Sequence, residues 1–267
     1  MAATLVFGNQ KGGTGKTTTL VNIAGVYLLR DLRVLVVDVD PQAQAAKSFL
    51  ARELDAGEPN LGLLLQDDGA ASGKVVSRDD IPNLGVLFGR QRDMEHAERA
   101  LLDPMRSDRL AEILAVQAHH WDRILIDTRP SIGPLTTASL VAADAAIAVA
   151  VPEPQGVEGP LVFRRQAELT ARKLNRRLRY LGYILNAVDN RRGVTQSVRA
   201  DLAALHDDLD KTGQQFRTEL PRSVDVAGAY SLGIPLAAHE PNHRLSLLYG
   251  ELVNEIDNRL AATPGVK

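Results

Sequence analysis

Lys11-Gly12-Gly13-Thr14-Gly15-Lys16-Thr17-Thr18 is the stretch that decides how this chain is read. It follows the short apolar run Leu5-Val6-Phe7 and precedes a helical pattern of apolar residues at Leu20, Ile23, Ala24, Tyr27 and Leu28. Strand, glycine turn and helix in that order are the context that a phosphate-binding loop requires. Glycines let backbone N–H groups converge on phosphate oxygens, a helix N-terminus favours negative charge, and Lys16 supplies a fixed cation for the β and γ phosphates. Gly12, Gly13, Thr14, Gly15 and Thr18 then complete a cradle for ATP, with the Thr17 hydroxyl placed for Mg²⁺. The segment departs from G-x-x-x-x-G-K-[ST], because Gln10 stands at the first glycine position.

Outward from this loop, short apolar runs alternate with amphipathic stretches. Val34 to Val37, Leu84 to Phe88, Arg123 to Ile126, Ala146 to Val151, Leu181 to Leu185 and Phe216 to Leu220 read as further buried strands. The rhythm predicts an α/β fold: a doubly wound, mostly parallel sheet of about seven or eight strands with helices on both faces. Residues 1–262 read as a single domain and 263–267 as a short tail, with Asp55 to Asp80 a loop-rich excursion. A hydrophobic fraction of 45% against 24% charged is that of an ordinary globular protein. There is no cysteine, which excludes disulfides, thiolate metal sites and iron–sulfur ligation by this chain. No run approaches a membrane span and the first residues lack the basic start of a signal peptide, so a cytoplasmic location is expected. The formal net charge of −2 means that any affinity for nucleic acid must come from a local patch.

Two further segments end apolar runs in carboxylates: Val34-Leu35-Val36-Val37-Asp38-Val39-Asp40-Pro41-Gln42 and Ile124-Leu125-Ile126-Asp127-Thr128-Arg129-Pro130-Ser131. Asp38 and Asp40 lie two apart, so a continuing strand would point both to one face. Together with the lysine near the start of the glycine loop, these segments resemble the deviant Walker A ATPases of the ParA/MinD family, within the P-loop NTPases. The resemblance implies Mg-ATP as cofactor and slow hydrolysis. It gives Lys16 to the bound phosphates, Asp40 to the attacking water, Asp127 to the metal through water, and Asp38 to the metal's outer shell. It also implies that Lys11 reaches across a homodimer, formed in the ATP state, to the partner's nucleotide, and it nominates Asn186 and Pro221 for the base. Arg129 stands where the family usually has proline.

Within the family, ParA-like members bind nonspecific double-stranded DNA as ATP dimers and are released by a ParB-like partner, whereas MinD-like members bind membrane through a C-terminal helix. The helical stretch Leu245 to Leu260 has an apolar stripe but a mostly acidic polar face, which favours packing on the sheet over a membrane surface. The cations Arg164, Arg165, Arg172, Lys173, Arg176, Arg177 and Arg179 form a dense patch that Arg191, Arg192, Arg199 and Arg222 extend, and this is the expected DNA surface. Asp225 falls where chromosomal relatives typically carry a DNA-contacting arginine. The loop begins at residue 11, with no helix-turn-helix segment before it, so operator binding is not expected. The reading is a DNA-partition ATPase, nucleoid-associated in its ATP state. A positioner of another cellular cargo and a nucleotide-gated scaffold with negligible hydrolysis are the alternatives.

Overall fold

The computed structural model describes residues 2–50, 60–67, 75–189, 193–207, 215–223 and 233–262. In chain order the elements are β1 Ala3–Gly8, α1 Lys16–Leu29, β2 Val34–Asp38, α2 Gln44–Phe49, α3 Leu61–Gln66, β3 Val76–Arg78, β4 Ile81–Phe88, α4 Gln91–Ala100, α5 Arg109–Gln117, β5 Arg123–Asp127, α6 Pro134–Ala142, β6 Ala145–Ala150, α7 Glu158–Lys173, β7 Arg179–Leu185, α8 Gly193–Asp207, α9 Leu236–His239 and α10 Arg244–Ala261. The strands form one seven-stranded sheet in the order β3-β4-β2-β5-β1-β6-β7. All neighbours are parallel except β3 and β4.

Side chains alternate across a sheet, so strands covered on both sides must be apolar at both parities. In β1, Leu5 and Phe7 join the core under α1, α2, α9 and α10, while Val6 joins the core under α3 to α8. Val34 and Val36 divide from Leu35 and Val37 in the same way. Each fully buried Leu, Val or Phe contributes about 1.5–3 kcal/mol, so these two layers hold the sheet rigid where its strand ends carry the site. The stripe of α10 is spent on this packing, with Leu245, Tyr249, Leu252, Val253 and Ile256 buried. No helix among the described residues is long and apolar enough to cross a membrane.

Two expectations about strands are corrected. Phe216 to Leu220 does not form a regular strand of the sheet; it lies along β7, with isolated bridges at Tyr183↔Gln215 and Val188↔Pro221 and backbone hydrogen bonds from Phe216 N–H to Tyr183 O and from Leu220 N–H to Leu185 O, both at 2.9 Å. The reason is competition for its donors: the N–H groups of Arg217 and Thr218 go to the Glu255 carboxylate at 2.9 and 3.3 Å. The excursion before Asp80 also contains more order than a loop. It holds α3, capped by the Asn60 side chain, and the antiparallel edge strand β3. Residues 51–59, 68–74 and the tail 263–267 lie outside the described residues.

Candidate nucleotide-binding site

The sheet order sends the chain from β1 to β2 on one side and later to β6 on the other, so the crevice at the end of β1 is a topological switch point, where ligands bind in such folds. Parallel register aligns Phe7 with Asp127 and Asp127 with Asp38. The glycine loop therefore leaves β1 directly beside Asp127, with Asp38 one strand further on.

Asn9 anchors the start of the loop: its Nδ2 donates to Val149 O at 2.7 Å and its Oδ1 accepts from Lys11 N–H at 2.8 Å. Gly13 and Gly15 have φ of +75° and +79°, the left-handed region that glycine enters without a Cβ penalty. Gly15 has a second constraint, since an added Cβ would lie 2.1 Å from Asn186 Nδ2. Asn186 in turn donates to Thr14 O at 2.9 Å, which brings the residue nominated for the base against the loop. Pro221 pairs with Val188, two residues further along the same segment. Lys16 is buried at 7% exposure, and residues 13–18 with Gln44 line a cleft of about 320 Å³.

The Thr17 hydroxyl donates to Asp127 Oδ2 at 2.7 Å. Asp127 is fully buried, and its Oδ1 has no hydrogen-bond partner among the described residues. Burial pushes its carboxyl up to about 6, against the lowering effects of Lys16 and the Thr17 hydrogen bond. A hydroxyl and a carboxylate with an unmet oxygen suit Mg²⁺, a hard cation that takes few protein ligands and keeps several waters. Thr17 and Asp127 are the residues that would hold it.

Asp38, expected in the outer shell of the metal, also has a structural task. Its Oδ1 accepts from Asp40 N–H at 3.1 Å and its Oδ2 from Ala46 N–H at 2.9 Å, so it clamps the turn from β2 into α2. Its carboxyl is also raised well above the usual range, chiefly by burial and then by the charge of Asp127. β2 stops at Asp38, so strand alternation does not extend to Asp40, whose Oδ1 accepts from Gln42 N–H at 2.9 Å. Asp40 still lies close enough to Asp127 to raise its carboxyl.

Lys11 Nζ is 2.9 Å from Glu153 Oε2 of its own chain, and Arg222 approaches the other oxygen at 3.8 Å. Such a partly exposed pair contributes about 0–1 kcal/mol and yields readily to a stronger anion. Arg129 forms an ion pair with Glu98 on α4. The turn around it is conventional: Thr128 Oγ1 donates to Phe7 O at 2.7 Å, and Pro130 sits beside Gly12.

The basic patch divides into residues that face solvent and residues that do not. Arg164 is 1% exposed, paired with Glu168 Oε1 at 2.7 Å and lying over the Tyr180 ring. Arg179 donates to Ala262 O and Leu260 O, each at 2.6 Å, and so closes the C-terminal end of α10. Both are corrected from DNA contacts to internal supports. Arg199 is paired with Glu219. Arg165, Arg172, Lys173, Arg176 and Arg177 are exposed, as is Arg222. Arg191, Arg192 and Asp225 lie outside the described residues. Gln44 and Glu153 were not legible as site residues, because only the folded turn after Asp40 and the loop after β6 bring them to the P-loop.

Comparison with known proteins agrees with this geometry. The family model AAA_31, an AAA domain, matches residues 2–180. The chain is 31% identical over 262 residues to the chromosome-partitioning ATPase Soj of Thermus thermophilus, covering 96% of both proteins. It is 30% identical over 261 residues to the chromosome partitioning protein ParA of Caulobacter vibrioides, covering 96% of this chain and 94% of that one. Among solved structures it is similar to the cobyrinic acid a,c-diamide synthase of Mycobacterium smegmatis with bound ADP and magnesium, at 27% identity and a TM-score of 0.73, covering 92% of this chain and 98% of that one.

Proposed function

The chain belongs to the AAA-domain family of ParA/Soj-like ATPases, with ATP and Mg²⁺ as its cofactors, and on that premise we propose that it is a nucleotide switch for DNA partition. ATP brings two copies together, the dimer binds double-stranded DNA without sequence preference on the nucleoid, and a ParB-like partner stimulates hydrolysis and release. The observation that carries this reading is the combination, in one chain, of a phosphate loop and a separate row of exposed cations. The near full-length likeness to a Soj and a ParA protein supports it.

Each residue has a distinct task in this reading. Lys16 and the N–H groups of the loop hold the phosphates. Bound Mg²⁺ neutralises charge on the phosphates. Asp40, on a turn held by Asp38, orients the attacking water; phosphoryl transfer is mostly a matter of positioning, so one such carboxylate suffices for slow turnover. Lys11 leaves Glu153 for the phosphates of a partner's nucleotide, which makes dimer stability depend on ATP. The exposed cations at the end of α7 then neutralise DNA phosphates.

Equilibrium ATP titration and turnover of two variants test the division of labour. Lys16→Ala is expected to weaken ATP binding about 10- to 100-fold, the effect of losing a charged hydrogen bond. Asp40→Ala is expected to keep ATP affinity and stall hydrolysis. Equal loss of ATP affinity in both variants would contradict the assignment.

A further inference from the structure

Lys11 is held by its own chain before it can serve another. Its Nζ lies 2.9 Å from Glu153 Oε2, and the Arg222 guanidinium stands 3.8 Å from Oε1, so one carboxylate faces two cations. Arg222, expected as an extension of the DNA surface, is thus placed beside the partner of Lys11. The backbones around this cluster are fixed. Lys11 N–H donates to Asn9 Oδ1 at 2.8 Å, and Arg222 N–H donates to Val188 O at 3.2 Å. Glu153 is closed into a tight turn, its N–H donating to Val151 O at 2.8 Å and its carbonyl accepting from Gly156 N–H at 2.7 Å. Exchange of partners at Glu153 therefore needs only side-chain rotation. Two like charges beside one carboxylate repel each other, so Arg222 weakens the hold of Glu153 on Lys11. It also stays beside Glu153 when Lys11 departs, which screens that carboxylate from the phosphates a second copy brings to the same place.

We propose that Glu153 is a latch that holds Lys11 back from dimerisation, and that Arg222 is the positioning residue that loosens it. The inference rests on the reading of Lys11 as the residue that reaches a second copy's nucleotide, and adds to it the two side chains that set how readily Lys11 is released. A two-fold symmetric dimer releases Lys11 twice. An effect of up to about fivefold per partly exposed pair therefore becomes up to about 25-fold in the dimer dissociation constant.

The test is sedimentation equilibrium of the Asp40→Ala chain with Mg-ATP and no DNA, compared with Glu153→Gln, Arg222→Ala, Arg222→Lys and the Glu153→Gln, Arg222→Ala double variant in the same background. Glu153→Gln should tighten the dimer and Arg222→Ala should weaken it, each by about three- to 25-fold. Arg222→Lys, which keeps the cation, should stay within about twofold of the parent. In the double variant the loss of Arg222 should matter by less than about twofold, because the carboxylate it acts on is no longer charged. A Glu153→Gln chain that dimerises no more tightly than its parent would overturn the proposal, as would an Arg222→Ala effect that is absent or that persists undiminished in the double variant. Failure of the underlying reading looks different: the parent would show no ATP dimer, or one indifferent to Lys11→Ala, and the proposal would fall with it.

Discussion

Asp127 carries an electrostatic cost in the free protein that fits its use as a metal ligand. Burial holds its carboxyl up at about 6, above the ordinary 3.8, so between those values the folded chain retains a proton that the unfolded chain releases. Stability therefore falls as pH rises through that window, and above about 6 the ionised group costs on the order of 2 to 3 kcal/mol. Replacing it by the neutral isostere, Asp127→Asn, is expected to raise the melting temperature of the nucleotide-free chain at pH 7 and to lose that advantage as pH approaches 4. The same variant should lose the effect of Mg²⁺ on ATP binding, while wild-type Mg²⁺ dependence should weaken below pH of about 6 as the carboxyl takes up its proton. Thermal denaturation from acid to neutral pH decides the first point. Superimposable curves for the two proteins would mean that Asp127 is already compensated.

At the scale of elements, α7 shows both what a sequence discloses and what it hides. The glycine loop and the apolar strands were readable because their signals are contiguous: a strand, a turn with its lysine, a helix. The basic patch was read as a density of charge, and density does not say which way each side chain points. Spacing does carry that information. Pro160, Phe163, Ala167 and Thr170 form the inward stripe of α7, and Arg164 falls within it, with Glu168 one turn away to neutralise it. Arg179 is settled by tertiary contact alone, through the carbonyls that end α10. Edge strand β3 escaped because three residues beside a tight turn give no period, and the strand expected at Phe216 was undone by Glu255, some 40 residues away. The turn after α7 is firmly set, since buried Asn175 donates to Ala143 O at 2.7 Å and Val141 O at 2.9 Å. Arg176 and Arg177 thus project from a fixed base. Replacing Arg172, Arg176 and Arg177 with Glu should abolish ATP-dependent DNA binding, and single changes to Ala should each lower the salt slope by about one. Arg179→Ala should behave oppositely, leaving the DNA slope alone while costing about 1–2 kcal/mol of stability in urea unfolding. Unchanged DNA binding by the triple variant would move the interface elsewhere, with Arg222 the next exposed cation.

At the scale of the whole molecule, one end of the sheet gathers the phosphate loop, the Asp127 turn, the Asp40 turn and the Lys11–Glu153 pair. A nucleotide bound there changes the charge that Lys11 meets, and a partly exposed pair of this kind is weak enough to be exchanged for a second copy's phosphates. Nucleotide state is thereby linked to assembly, and assembly to DNA, because two copies of the cationic turn bind one duplex with the gain of a bivalent contact. The measurement that tests this most directly is sedimentation of the Asp40→Ala chain, which should hold ATP without consuming it, with an unrelated DNA duplex and Mg²⁺ under ATP, ADP and no nucleotide. A dimer on DNA with ATP alone is the predicted result, lost when Lys11→Ala is added. The same sedimentation pattern in all three nucleotide states would contradict the account.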